Sequence, residues 1–168
     1  MISNNNKDLS IHFAEEKEAG IILSFIKELA EYEKLTHEVV ATEEKLKETL
    51  FGEKKYAEVL IAEYKNQPAG FALFFHNYST FLAKPGIYLE DLFVKKELRG
   101  KGIGKALLSY LGVIALERNC GRIEWSVLDW NEPSIKFYLK LGAIPLYDWT
   151  VYRVTGNSIK KLADEFYK

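Results

Sequence analysis

The strongest constraint on this chain is a glycine-rich turn held between an apolar run and a long amphipathic stretch. Residues 87–94 read Ile-Tyr-Leu-Glu-Asp-Leu-Phe-Val, a β-rich run that is apolar except for Glu90 and Asp91. The turn Arg99-Gly100-Lys101-Gly102-Ile103-Gly104 follows. Beyond it, Ile103, Ala106, Leu107, Tyr110, Leu111, Ile114 and Ala115 recur at the i, i+3, i+4, i+7 spacing of a helix. Strand, tight turn and helix in that order point several backbone N–H groups at one spot at the positive end of the helix, a place that suits an anion.

Two well-known phosphate motifs do not fit the turn. A Walker loop needs a hydroxyl after Gly-Lys, and here Gly104-Lys105 is followed by Ala106, with Arg99 where the first glycine belongs. A dinucleotide fingerprint needs a third glycine at Lys105 and a place beside a first strand. The pattern Arg-x-x-Gly-x-Gly fits, with Arg99 and Lys101 adding positive charge. On spacing alone, a turn that merely ends a strand is an equal alternative; its place before a long amphipathic helix favours anion binding.

The remaining elements can be read around this centre. Residues 9–13 form a first strand, and residues 19–33 an amphipathic helix with Glu15, Glu16 and Glu18 near its positive end. A shorter helix starts at Thr42 and stops at Gly52. Residues 58–64 and 70–75 form a hairpin about the turn signal Asn66-Gln67-Pro68. Residues 122–128 form another strand, and Asn131-Glu132-Pro133-Ser134 opens a short helix that Gly142 closes. Residues 144–149 and 151–154 are expected to close the sheet, and 158–168 to form a terminal helix. This order predicts a mixed α/β fold with helices on both sheet faces.

Composition narrows the function. A chain of 168 residues makes one domain, 1–168, after a polar leader over 1–7. Its 23 basic and 24 acidic residues lack the basic excess of a nucleic-acid binder. The longest stretch without Asp, Glu, Lys or Arg, residues 66–83, is too polar to cross a membrane, and the leader has no apolar core. The single cysteine, Cys120, excludes an internal disulfide and a cysteine-rich zinc site, and fits the cytoplasm. His12, His37 and His76 lie too far apart for a local metal motif, so no metal is expected. With no nucleophile motif either, the chemistry expected is direct transfer from an activated donor.

Three residues carry that chemistry. Glu90 and Asp91, on opposite faces of a strand, are costly in a sheet unless paired or used, and either could serve as a general base; a carboxylate at a strand kink, bonded to backbone or Arg, is the alternative. Tyr138, on the short helix after Trp130, could give a proton to a leaving group. With ten tyrosines in the chain, packing is the default role for any one of them.

The segments Leu89-Glu90-Asp91-Leu92-Phe93-Val94, residues 99–104, Asp129-Trp130-Asn131-Glu132-Pro133-Ser134-Ile135-Lys136-Phe137-Tyr138 and Ile26-Lys27-Glu28-Leu29-Ala30-Glu31-Tyr32-Glu33-Lys34 resemble the GNAT superfamily of N-acetyltransferases, in particular its diamine (spermidine/spermine) and thialysine branches. The resemblance implies a mixed, mostly antiparallel sheet splayed into a V, and acetyl-CoA as donor with CoA as product. It implies that Arg99, Gly100, Lys101, Gly102, Ile103, Gly104 and Lys105 cradle the pyrophosphate. Leu92, Phe93 and Val94 would pair with the pantetheine arm, helped by Asn131, Glu132, Pro133, Ser134 and Leu141. Tyr138 would be the acid and Glu90 a base acting through water, with Tyr32, Glu33, Glu90, Asp91 and Trp149 around the amine. It also implies a small-molecule amine substrate and a homodimer.

Where the polyamine enzymes carry an Asp and a Trp before the fourth strand, this chain has Thr80 and Leu82, and its Tyr78-Ser79-Thr80 and Val127-Leu128-Asp129-Trp130-Asn131 look closer to the thialysine branch. Losing an acidic group weakens a long polycation more than an amino acid. Two alternatives stand beside a small amine: acetylation of a protein lysine or N-terminus, and a non-catalytic acyl-CoA-binding module.

Overall fold

The computed structural model describes residues 2–3 and 7–167. It divides into two compact units, Met1–Ser126 and Val127–Lys168. The first unit is built on a sheet whose strands follow chain order from β1 to β6: β1 (Ile2–Ser3), β2 (Leu9–Phe13), β3 (Glu58–Tyr64), β4 (Gln67–Ser79), β5 (Lys84–Val94) and β6 (Ile123–Trp125). Neighbours through β5 are antiparallel, and β5 with β6 is parallel. Within the polar leader, Ile2 and Ser3 pair with Ile11 and Ser10. The rest of that expectation falls on Met1 and residues 4–6, outside the described residues, and on Lys7, which begins a turn.

Helix α1 (Ala19–Glu33) and the one-turn α2 (Glu43–Leu46) cover one face of the sheet. Ala19, Ile22 and Phe25 of α1 and Leu46 of α2, with Leu50 from the wide turn that extends it, pack on Val59, Ile61, Phe71 and Phe93. Phe25 stacks on Phe71 at 5.5 Å between ring centroids. Burying each such side chain contributes about 1.5–3 kcal/mol. Thr42 caps α2 as expected, its Oγ1 accepting from the N–H of Lys45 at 3.3 Å. Helix α1 ends where Lys34 turns left-handed at φ 63° and Leu35 N–H reaches back to the Ala30 carbonyl.

Helix α3 (Ile103–Glu117) covers the opposite face, so helices do lie on both faces. Its buried Ile103, Leu107, Leu111 and Ile114 answer Leu60, Ala72, Phe74, Ile87 and Leu89. Just past its end, Arg118 forks onto both carboxylate oxygens of Glu58 and donates to His76 Nε2 at 3.1 Å. With His76 Nδ1 3.2 Å from the Gly86 carbonyl, the imidazole donates there and accepts from Arg118.

The hairpin turns one step earlier than expected. Lys65 and Asn66 both take positive φ, 53° and 58°, which makes a two-residue turn with Tyr64 opposite Gln67. Such mirror-image turns match the right-handed twist of the strands, so Pro68 lies inside β4 rather than in the turn.

Strand β6 is shorter than the expected 122–128, and it meets β5 only through Ile87–Ile123, Tyr88–Glu124 and Leu89–Trp125. Among the described residues no strand flanks 90–94 of β5 on that side, so the pairing of β5 with β6 ends at Leu89.

The second unit contains α4 (Glu132–Lys140) and α5 (Asn157–Asp164), the latter followed by a single 3-10 turn over Glu165–Tyr167. Asn131 caps α4, its Oδ1 accepting from Ser134 N–H at 3.4 Å, and Gly142 follows at φ 86°. The closing strands expected at 144–149 and 151–154 are not formed. A strand exists only through a ladder partner, and among the described residues the pairing of the sheet ends at β6. Tyr147 and Tyr152 are each 91% exposed there.

Candidate active site

The turn before α3 has the geometry its glycines suggest. Gly100 and Gly102 take φ 80° and 83°, in the left-handed region that side chains disfavour. Gly102 is the N-cap of α3 and brings no side chain to close the helix start. The first N–H groups of a helix have no partner within it, so this end offers donors and a positive dipole to an anion. Gly100, Lys101, Gly102 and Lys105 are exposed, Gly104 is half-buried, and only Ile103 turns its side chain into the core. A pyrophosphate fits this uncapped end.

On one side the turn abuts the end of α1. Arg99 donates from Nε to the Val94 carbonyl at 3.1 Å and lies 4.4 Å from the centroid of the Tyr32 ring and 6.0 Å from that of Phe93. On another side, Lys101 Nζ sits 5.4 Å over the ring of Tyr64.

The two carboxylates of β5 are not placed as alternation suggests. Leu73 pairs with Asp91 but Phe74 pairs with Leu89, leaving Glu90 as the extra residue of a bulge. Glu90 is exposed. Asp91, half-buried, shares the face of Leu73, toward α1. Burial there, with the charges of Glu90 and Glu33, pushes the Asp91 carboxyl up to about 6. Burial likewise raises Glu33 above the usual carboxylate range. The last turn of α1 therefore places Tyr32 against Arg99 of the glycine turn and Glu33 within range of the Asp91 charge. Of the sequence candidates, Tyr32, Glu33, Glu90, Asp91 and the turn gather in this unit.

Along β5, Phe93 is buried with its ring 6.0 Å from Phe25, while Leu92 and Val94 are half-buried. Phe93 thus has only its backbone to offer a ligand. At residues 90–94 every second backbone group faces away from β4, toward the open side.

The other candidates belong to the second unit. Tyr138 lies half-buried on α4, its ring 5.3 Å from that of Phe137, and its carbonyl accepts from Leu141 and Ala143. Asn131 is buried, Ser134 half-buried, and Glu132 and Pro133 exposed. Leu141 is exposed, and Trp149 sits in an irregular segment at 74% exposure. The contact of Arg99 with Tyr32 has no local signal, because 67 positions separate them. Among the described residues no helix is long and apolar enough to cross a membrane, and no three His, Cys, Asp or Glu side chains gather as a metal cluster.

Comparison with known proteins shows the family. The profile of the acetyltransferase (GNAT) family matches residues 24–143. A thialysine N-epsilon-acetyltransferase from Bos taurus is 38% identical, the alignment covering 91% of this chain and 96% of that protein. An L-ornithine N5-acetyltransferase from Arabidopsis thaliana is 31% identical, with 90% and 86% covered. An integron cassette protein from V. cholerae superposes with a TM-score of 0.79 at 28% identity, over 94% of this chain and 99% of that one. A profile spanning most of the chain and relatives similar over nearly their whole length make this chain an N-acetyltransferase of the GNAT family.

Proposed function

We propose that the chain transfers acetyl from acetyl-CoA to a primary amine of a small cationic metabolite, an amino acid of the thialysine or ornithine kind or a diamine, by direct attack in a ternary complex. The observation that carries this reading is the placement of two half-buried carboxylates, Asp91 opposite Leu73 on the α1 face and Glu33 next to the Tyr32 that Arg99 contacts, each raised by burial. Carboxylates held out of water repel one another, and a primary ammonium relieves both costs at once. The relatives named for thialysine and for ornithine are named for amino acids with a side-chain amine, which fits a site of this charge.

In this reading residues 99–105 hold the pyrophosphate, and the backbone of Leu92, Phe93 and Val94 receives the pantetheine arm. Asn131, Glu132, Pro133, Ser134 and Leu141 assist. Bound acetyl-CoA supplies the acetyl group as a thioester, and CoA is the product. An ammonium with pKa about 10.4 is no nucleophile until it loses a proton. Glu90, exposed at the bulge, takes that proton through a water. Tyr32, Glu33 and Asp91 receive the amine; the family resemblance adds Trp149 to them and gives Tyr138 the role of donating its hydroxyl proton to the departing thiolate. The reading further holds that residues 1–168 act as one acetyltransferase domain, in the cytoplasm and as a homodimer, with neither nucleic acid nor membrane as partner.

The test is the release of CoA thiol from acetyl-CoA with thialysine, ornithine, lysine, putrescine, spermidine and a short lysine peptide. Turnover on a free amine at least about tenfold above the peptide is expected. Turnover on the peptide alone would make the chain a protein acetyltransferase. Tight acetyl-CoA binding with no thiol release on any amine would make it a binding module.

A further inference from the structure

We propose that Arg99 is a positioning residue: through its stack on Tyr32 it fixes the last turn of α1, and with it Glu33, relative to β5 and the turn that follows. The proposal rests on the reading of Glu33 and Asp91 as the amine site.

Three contacts define the geometry. Arg99 Nε donates to the Val94 carbonyl at 3.1 Å, which ties the guanidinium to the end of β5. Its central carbon lies 4.4 Å from the Tyr32 ring centroid and 6.0 Å from that of Phe93. Arginine at such a distance is attracted by the ring quadrupole and can stack on its face. One side chain therefore joins the end of β5 to the last turn of α1.

Arg99 holds the part of that turn that lies past the buried Ala30. Helix α1 ends at Glu33 with Lys34 left-handed, so Tyr32 and Glu33 are its last two residues. Adjacent residues on a helix are held about 100° apart around the axis, so clamping the Tyr32 ring sets the direction of the Glu33 carboxylate. The apolar packing of α1 runs from Ala19, Ile22 and Phe25 to Leu29 and Ala30, and Tyr32 and Glu33 lie beyond it. Lys101 offers a contrast on the same turn, since its ammonium lies over Tyr64 of β3, away from α1.

An arginine that served only as a phosphate ligand would act on the cofactor. One that positions α1 acts on the amine. The full-length protein is assayed with acetyl-CoA and either thialysine or ornithine, and CoA binding is measured separately by calorimetry. Arg99→Gln and Tyr32→Leu are each expected to raise the amine KM about 5–10-fold with kcat changed less, and Tyr32→Leu, which leaves the turn at 99–105 intact, to keep the Kd for CoA within about twofold of wild type. The double variant should be no worse than the poorer single variant, because both break one contact. Arg99→Lys and Tyr32→Phe, which keep a cation over a ring, should restore most of the loss. These conservative variants also guard against simple misfolding, checked by thermal midpoints.

The proposal is overturned if Arg99→Gln raises the Kd for CoA tenfold while the amine KM stays put. It is equally overturned if the two substitutions multiply independently, or if Tyr32→Phe is as damaging as Tyr32→Leu. Should the wild-type protein turn over neither amine nor any other in the panel, the reading of function fails. The contact is then decided by urea denaturation of the two single variants and the double variant: losses of stability that fail to add support the Arg99–Tyr32 coupling, and losses that add independently overturn it.

Discussion

Asp91 pairs directly with Leu73 across β4 and β5, one residue past the bulge at Glu90, and so shares a face with Leu73, Phe71 and Phe93. A carboxylate on the face of a sheet that packs under α1 is out of place by composition alone. Its carboxyl is pushed up to about 6 by burial and by the charges of Glu90 and Glu33.

This gives a stability prediction with a definite sign. Because the Asp91 pKa is higher folded than unfolded, the native state holds its proton more tightly, and stability falls as pH rises from about 4 to about 6. Asp91→Asn should therefore stabilise the protein at pH 7.5, by about 2–3 kcal/mol for a shift from 3.8 to about 6. The gain should vanish below about pH 4. Urea denaturation at pH 7.5 and pH 4 checks this; an equal effect at both would remove ionisation as the cause.

Glu58 should behave in the opposite sense. Arg118 hydrogen-bonds both of its oxygens and holds its carboxyl below the usual range. That contribution is present above the unfolded pKa and is lost as pH falls through the folded one. Glu58→Gln should cost up to about 1 kcal/mol at pH 7, a modest figure because both side chains are about a third exposed. Near pH 3 the variant and the wild type should unfold alike, which the same denaturation series measures.

Gly102→Ala separates backbone strain from crowding. A Cβ there would meet nothing within 4 Å, yet φ is 83°. The substitution should destabilise the protein by about 1–2 kcal/mol through the left-handed backbone alone. Moving the N–H groups of the helix start should weaken CoA binding by about tenfold. Calorimetry that found full affinity would mean the turn is not the phosphate site.

Tyr138→Phe tests the proposed acid. The turnover number should fall by about 10²–10⁴-fold with the Kd for acetyl-CoA little changed. Rapid-quench assays of the acetylated amine against calorimetry of the cofactor make the comparison, and undiminished turnover would take Tyr138 out of the chemistry.

Local pattern was enough for much of the chain. The helical spacing at residues 103–115, the cap at Thr42, the proline and glycine bracketing α4, and the glycines of the phosphate-type turn are each read within a few residues of themselves, and the family resemblance rests on those same stretches. Tertiary structure decided what depends on residues far apart. The bulge that leaves Glu90 exposed is a matter of register between β4 and β5. The stack of Arg99 on Tyr32 and the fork of Arg118 on Glu58 span 67 and 60 positions. The alternating residues of 144–154 have the character of strands, but a strand also needs an edge to pair with, and no periodicity within the segment can supply one. Periodicity and caps are properties of neighbours along the chain; register, burial of a charge and the meeting of two side chains are properties of neighbours in space.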